Sequence, residues 1–291
     1  MRASLPSPSI LLQYALPHRL LSRIVYWATR WTWRPWKNFL IRHVVKSYAV
    51  DMAQAAEPDA FAYASFNAFF TRALRAGARV APADALAIAC TADGRISQLG
   101  AIESNGSDGG RIVQAKGQDF SVAELLADDA EAAKYAHGQF ITVYLSPRDY
   151  HRVHAPLSGT LRETLHIPGR LFSVAPAAVA HVPRLFARNE RLVCHFDGAH
   201  GPFAVILVGA MLVSGVETVW SGVEIPPYAS AIQRKDWRGK NVRLERFDEL
   251  GRFNMGSTVI VLLPAGSAAL DVNLKPEDFV QVGQEIGRFI S

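Results

Sequence analysis

Cysteine is scarce in this 291-residue chain: only Cys90 and Cys194 occur, far apart and each in an apolar setting. That argues against a disulfide scaffold and against a zinc site built from CxxC pairs, and it fits a reducing compartment. No uninterrupted apolar run approaches the ~18 residues that a membrane-spanning helix needs. No GxSxG elbow occurs, which disfavours an α/β-hydrolase. No repeat at a solenoid period is present. Acidic residues are missing from one region only. Residues 1–50 hold eight Arg or Lys and no Asp or Glu, whereas the whole chain carries +5, so residues 51–291 sum to −3. The basic character therefore belongs to the N-terminus. Apolar residues make up 49% of the chain, enough for a sizeable core and against disorder.

What the N-terminus does have is arginine and tryptophan. Read as a helix from Leu20 to Arg34, with Pro17 at its start and Pro35 at its stop, it puts Leu20, Leu21, Ile24, Val25, Trp27, Ala28 and Trp31 on one face. Arg19, Arg23, Arg30 and Arg34 fall beside that face. Trp27, Trp31, Trp33 and Trp36 are four of the six tryptophans in the protein. Trp sits well at headgroup level and Arg attracts anionic lipid, so the segment is expected to lie on a membrane rather than cross it. Docking of the same face on the protein's own core is an alternative, and an Arg-rich, acid-free stretch also fits a transit peptide.

Residues 1–55 thus read as a basic, amphipathic, membrane-associating helical segment, and residues 56–291 as the main domain. A second helix is predicted over Ala60–Arg75, where Phe61, Phe66, Phe69, Phe70 and Leu74 give an apolar face. Phe120–Leu126 suggests one more short helix. Past Val80, short β-like runs alternate with turn signals: Ile141–Leu145, Gly159–Leu165, Leu192–Phe196, Phe203–Val208, Met211–Gly215 and Thr258–Leu263. Glu103–Gly110 (ESNGSDGG) reads as a polar loop. The expected class is α+β: N-terminal amphipathic helices, then a mostly antiparallel β core with barrel- or sandwich-like character. Ala155–Leu161 and Val280–Phe289 are similar to the ends of biotinyl and lipoyl carrier domains, which are small β-sandwiches.

Three stretches carry chemistry. Gly251–Leu263 (GRFNMGSTVIVLL) places a Gly-Ser-Thr triplet ahead of a β-branched strand. Tyr144–Pro156 (YLSPRDYHRVHAP) holds His151 and His154, three apart and so on opposite faces of an extended strand. Cys90–Ile96 (CTADGRI) holds Asp93. Each alone is ordinary: a turn into a strand, a pair of histidines, an Asp-Gly turn. Together they supply an acid, a base and a hydroxyl nucleophile in the chain order Asp93, His154, Ser257, the order that subtilisin uses on another fold. No third histidine or cysteine stands where a metal site would want it, so no metal is expected.

With these residues the chain resembles the bacterial short-form phosphatidylserine decarboxylases, a pyruvoyl-dependent family. The match runs through Phe66–Arg75 (FNAFFTRALR), Thr91–Ile96 (TADGRI), Ala115–Phe120 (AKGQDF), Tyr144–His154 (YLSPRDYHRVH), Pro168–Val174 (PGRLFSV), Val182–Glu190 (VPRLFARNE), Gly209–Val216 (GAMLVSGV) and Gly251–Val261 (GRFNMGSTVIV). The PRDYHRVH and GST stretches are the specific ones. One departure is Met255, which stands where the family's Leu-Gly-Ser-Thr motif has leucine. The exchange is nearly volume-conserving and leaves Gly256, Ser257 and Thr258 intact, so it bears only on the rate of processing.

The resemblance implies a serine-protease-like event that happens once, on the chain itself. Ser257 would be the nucleophile, His154 its base and Asp93 the group orienting that histidine. Attack on Gly256 would cut the chain into 1–256 (beta chain) and 257–291 (alpha chain) and leave a pyruvoyl group derived from Ser257. That group, the only cofactor implied, would form a Schiff base with phosphatidylserine and give phosphatidylethanolamine and CO2. His151 is the candidate for positioning the carboxylate or delivering the proton. Glycine is expected at 256 because it tolerates strain and close approach. Arg148, Arg152 and Arg170 are the candidates for the phosphate. The implied setting is an anionic membrane surface, peripheral, on the cytoplasmic face of a bacterial inner membrane. No nucleic acid is expected, and a homodimer is an open alternative. Two other readings remain: a conventional serine hydrolase using Asp93, His154 and Ser257, and a non-enzymatic, membrane-bound β module.

Overall fold

The stretch Ser257–Leu263 (STVIVLL) is the centre of the molecule. Its β-branched side chains suit a pleated strand, and every residue in it is buried. Successive side chains leave the strand on opposite faces. Val259, Val261 and Leu263 enter one core with Ile141, Val143 and Leu145. Ile260 and Leu262 enter a second core with Phe140 and Phe172. A strand clothed on both faces in this way reads as a continuous apolar run, as this one does.

The computed structural model describes residues 8–104, 109–115, 117–212, 215–226 and 228–290. Around Ser257–Leu263 they form a nine-stranded sheet whose named pairings are all antiparallel. Its lateral order is Gln233–Asp236, Gly159–Ile167, Arg191–Gly198, Gly201–Val208, Ser257–Leu263, Gln139–Leu145, Gly94–Ala101 and Phe279–Val280. Arg243–Leu244 adds beside Gly159–Ile167. The first core lies between this sheet and smaller ones. One smaller sheet is ordered Gly222–Ile225, Val216–Thr218, Glu249–Phe253, Arg152–His154, and another Ala87–Ala89, Glu285–Phe289, Ala268–Leu270. Short helices and loops cover the other face.

The α+β class with mostly antiparallel sheets is as expected, and the layering is sandwich-like. A closed barrel is not formed: among the described residues the large sheet is an open path with two ends. The strand expectations at Ile141–Leu145, Gly159–Leu165, Leu192–Phe196, Phe203–Val208 and Thr258–Leu263 fall within observed strands. Met211–Gly215 does not. Met211 and Leu212 lie in a turn, and residues 213–214 are outside the described set, as are residues 105–108 of the polar loop.

Three helices precede the sheets: α1 (Pro8–Ala15), α2 (His18–Arg30) and α3 (Arg34–Tyr48). The helix expected over Leu20–Arg34 is thus two helices that meet at an extended break. Pro35 opens the second rather than closing the first, because a proline in the first turn gives up only an N–H that would have no partner there. The polar face of α2 is the docked one. His18, Ser22 and Thr29 are buried, and His18 Nδ1 accepts from the Leu171 N–H at 3.2 Å. Leu20, Ile24 and Trp27 point outward, Trp27 with 73% of its surface exposed.

The helix expected over Ala60–Arg75 shrinks to α4 (Phe66–Phe70). Local side-chain acceptors compete with the helix before it: Asp59 Oδ1 takes the Phe61 N–H, and Ser65 Oγ takes the Ala68 N–H as an N-cap. The apolar pattern is satisfied by packing instead. Phe66, Phe69 and Phe70 form a third core with Ile41 of α3, and Met255 rests against it. The helix suggested over Phe120–Leu126 is α5 (Val122–Leu126), started by a Ser121–Glu124 capping box.

Candidate active site

Ser257 opens the central strand, paired in register with Leu145. The connector before it is tightly held. Asn254 is buried, donates from Nδ2 to Glu217 Oε1 (2.8 Å) and accepts from Asn67 Nδ2 of α4 (2.9 Å). The Phe253 N–H donates to the His151 carbonyl at 3.0 Å, tying the connector to the histidine segment. Met255 has φ +94°, a left-handed conformation that costs a non-glycine residue on the order of 1–3 kcal/mol. Gly256 is not in that region. A Cβ placed on it would meet only ordinary contacts, 3.5 Å to the Leu145 carbonyl oxygen and 3.7 Å to His151 Nε2. The strain expected at Gly256 therefore sits one residue earlier, on Met255.

Ser257 is fully buried, and its Oγ has no hydrogen-bond partner. A buried hydroxyl without a partner is costly and so marks a site. His151 is equally buried. Its Nδ1 meets the Asp149 carbonyl oxygen at 2.8 Å, and since a carbonyl only accepts, Nδ1 carries the proton. Nε2 then holds the lone pair, has no partner, and is the atom that faces Gly256. Burial, with the Arg72 charge adding to it, pushes His151 down to about 3, so the imidazole is neutral near pH 7. The Phe70 ring stands 4.0 Å from it, centre to centre.

His154 lies three residues on, in the strand Arg152–His154. Its Nδ1 donates to the Phe247 carbonyl oxygen at 2.6 Å, which leaves Nε2 as acceptor for the Tyr150 hydroxyl at 3.1 Å. Burial lowers the His154 pKa as well. Asp93 sits in the turn before Gly94–Ala101, where Gly94 is required because a Cβ there would collide with the Tyr144 carbonyl oxygen. Arg79 grips both Asp93 oxygens, Nε to Oδ1 at 2.9 Å and Nη2 to Oδ2, and the Val282 N–H donates to Oδ1 at 2.8 Å. The His154 ring donates no hydrogen bond to Asp93. The two are linked through the backbone, where the His154 N–H donates to the Thr91 carbonyl oxygen at 2.8 Å.

The structure thus brings Gly256, Ser257 and His151 together. His154 and Asp93 are neighbours that Tyr150 and Arg79 hold in place. Three neighbours carried no sequence signal of their own: Arg79, Tyr150 and Arg72, of which Tyr150 and Arg72 lay inside stretches already singled out and Arg79 did not. Of the three arginines considered for the phosphate, Arg152 is tied to Glu249 (2.7 Å) and the Thr71 carbonyl, and Arg170 to the Tyr14 carbonyl. Arg148 borders the cavities beside the site. Two cavities adjoin the site and share Arg95, Arg148 and Asp149. One, of about 310 Å3, is lined by Arg72, Arg79, Asp93 and Tyr150. The other, of about 720 Å3, is lined by Tyr144, Ser146, Gln98 and the end of α3 at Ser47 and Tyr48.

Comparison with known proteins gives a consistent answer. A family model described as phosphatidylserine decarboxylase matches residues 66–288, and a second, described as PSD, matches residues 8–49. The chain is 62% identical over 278 residues to the phosphatidylserine decarboxylase proenzyme of Xanthomonas euvesicatoria pv. vesicatoria (strain 85-10), covering 95% of this chain and 97% of the relative. It is 61% identical over 278 residues to that of Xanthomonas axonopodis pv. citri (strain 306), with the same coverage. The proenzyme of Stenotrophomonas maltophilia (strain R551-3) is 58% identical over 277 residues, covering 95% and 97%.

Proposed function

This chain belongs to the phosphatidylserine decarboxylase family, and from that premise we propose how its residues make and use the active site. It is a carboxy-lyase that converts phosphatidylserine to phosphatidylethanolamine and CO2. Membership sets aside the conventional hydrolase and the non-enzymatic β module. The relatives are named proenzymes, so the chain is processed. The bond cut is Gly256–Ser257. The observation that carries this reading is the buried, partnerless Ser257 Oγ, next to a glycine that the free Nε2 of His151 faces.

In this reading Ser257 Oγ attacks the Gly256 carbonyl carbon, the C–N bond breaks, and the nitrogen of residue 257 takes the proton, leaving an ester. Loss of the α-proton of residue 257 then expels the Gly256 carboxylate, and hydrolysis with loss of ammonia leaves the pyruvoyl end group. The site suits such a group: it is buried, it offers a free imidazole nitrogen, and the nearby Asp93 carboxylate is already held by Arg79 rather than free to pair with an amine. The pyruvoyl ketone supplies a carbonyl that can join the substrate amine and take up the electron pair as CO2 leaves. His154, its proton fixed on Nδ1 by Phe247, is the base for cutting once the Tyr150 hydroxyl gives way to that of Ser257. Asp93 supports it from behind, held by Arg79. His151 stays beside the reacting atoms and holds or delivers the proton for the substrate carbon.

One observation favours a second assignment. His151, not His154, has the unengaged Nε2 at Gly256. Single alanine variants separate the two. His154→Ala should stay whole on a denaturing gel, while His151→Ala should be cut yet turn over poorly. The opposite pattern would make His151 the base. Ser257→Ala should stay whole in either case.

The substrate's acyl chains keep it in a bilayer, and α1 to α3 are the proposed seat on that surface. The outward Leu20, Ile24, Trp27, Trp31, Trp33 and Phe39 support this, as does the excess of arginine around them. Among the described residues no helix is long and apolar enough to cross a membrane. The end of α3 borders the larger cavity, so a lipid held at this seat has a short route to the site.

A further inference from the structure

Arg72 follows α4 and is 96% buried, with 4% of its surface exposed. Its one hydrogen bond runs from Nη2 to the Arg148 carbonyl oxygen at 3.0 Å, and Nε and Nη1 have no partner. The nearby carboxylates do not satisfy it. Both Asp93 oxygens are spent on Arg79 and the Val282 N–H. Asp149 Oδ2 is taken by the N–H and Oγ of Ser146, and its Oδ1 lies 3.7 Å from Arg148 Nε. A guanidinium buried with donors to spare is expensive unless an anion completes it. Arg72 lines the 310 Å3 cavity together with Arg79, Arg95 and Arg148 and with Asp51, Asp93 and Asp149, the Asp51 oxygens being taken by the Ala53 N–H and Gln54 Nε2, and on its other side its charge is felt at His151. It therefore stands between an open hollow, whose lining holds four arginines against three aspartates, and the reacting atoms.

We infer that Arg72 grips the phosphodiester of the lipid headgroup through its free N–H groups, with Arg148 as a second cation at the cavity mouth. This deepens the decarboxylase reading given above and rests on it. The substrate has two anions, and the chemistry chooses between them. A cation on the carboxylate would stabilise the ground state more than the transition state, because that negative charge is leaving as CO2. The phosphodiester keeps its charge from substrate to product, so holding it fixes the headgroup without opposing the reaction. A planar fork of donors also suits phosphate oxygens.

The test uses the full chain carrying Arg72→Gln or Arg72→Lys, each confirmed as cut into two pieces. Short-chain phosphatidylserine, soluble as monomers, removes adsorption to vesicles from the measurement. Short-chain phosphatidylethanolamine, which keeps the phosphodiester and lacks the carboxylate, is the inhibitor. Arg72→Gln should raise KM for the serine lipid and Ki for the ethanolamine lipid alike, by about 10-fold or more, with kcat changed by less than about 3-fold. Arg72→Lys should fall between. A raised KM with an unchanged Ki would mean that Arg72 holds the carboxylate, and the inference is then wrong. Unchanged KM and Ki in either cut variant would overturn it too. Failure of both variants to self-cleave would put Arg72 in the cutting machinery instead of on the substrate. Only a wild-type chain that is neither cut nor releases CO2 would refute the decarboxylase reading itself, so the two failures are distinguishable.

Discussion

His151 pays for its position beside Gly256 in pH sensitivity. In the folded chain it stays neutral down to about 3, while in the unfolded chain it takes a proton near its ordinary 6.5. Between those values the unfolded state binds more protons, so this contribution is full above 6.5 and is lost as pH falls. For one group the loss between pH 7.5 and 4.5 is about 2–3 kcal/mol. His151→Gln in the uncut Ser257→Ala background should therefore show a smaller drop in urea midpoint between those pH values than the Ser257→Ala chain alone. An equal drop would mean that His151 is not held neutral. Asp93 makes a different prediction. Its carboxylate is buried with Arg79, so Asp93→Asn leaves a charge unpaired and should cost roughly 3 kcal/mol in the same background. Slow cutting in that variant must be judged against this loss before it is credited to orientation of His154. The Asp, His and Ser candidates were legible in the sequence because short motifs carry them. Arg72, Arg79 and Tyr150 were not, since an arginine or tyrosine announces its role only through burial and missing partners.

Among the elements, α2 inverts the usual amphipathic arrangement. Small polar groups face the protein and large apolar ones face outward. Replacing Leu20, Ile24 and Trp27 together by Ser should leave the thermal midpoint nearly unchanged, because none is in the core. It should lower binding to anionic vesicles at least about 10-fold in a flotation assay, given roughly 1.5–3 kcal/mol for each side chain buried. Unchanged flotation would remove these residues from the membrane seat. The sequence showed the apolar stripe but not which side of the helix docks, since that depends on the pockets for His18 and Thr29. It showed the central strands well, because unbroken β-branched runs leave little choice. It misread residues 60–75, where Asp59 and Ser65 bind backbone that a helix would need. It also misread Pro35, which both ends and begins helices.

For the whole molecule, cutting at residue 256 would release the central strand of the large sheet from the rest of the chain covalently but not physically. Ser257–Leu263 is hydrogen-bonded on both edges, to Gln139–Leu145 and Gly201–Val208. Its five buried Val, Ile and Leu side chains contribute on the order of 10 kcal/mol of apolar burial. The two pieces should therefore run as one species in native size exclusion and separate only under denaturing conditions. Native separation would contradict the sheet order described here. The most direct test of the account is the mass of the active, purified protein under denaturing conditions. Two chains are predicted, 1–256 and 257–291, the smaller beginning with a keto-acyl group that reacts with a hydrazine. A single intact chain with an unmodified serine at 257, fully active on phosphatidylserine, would contradict it.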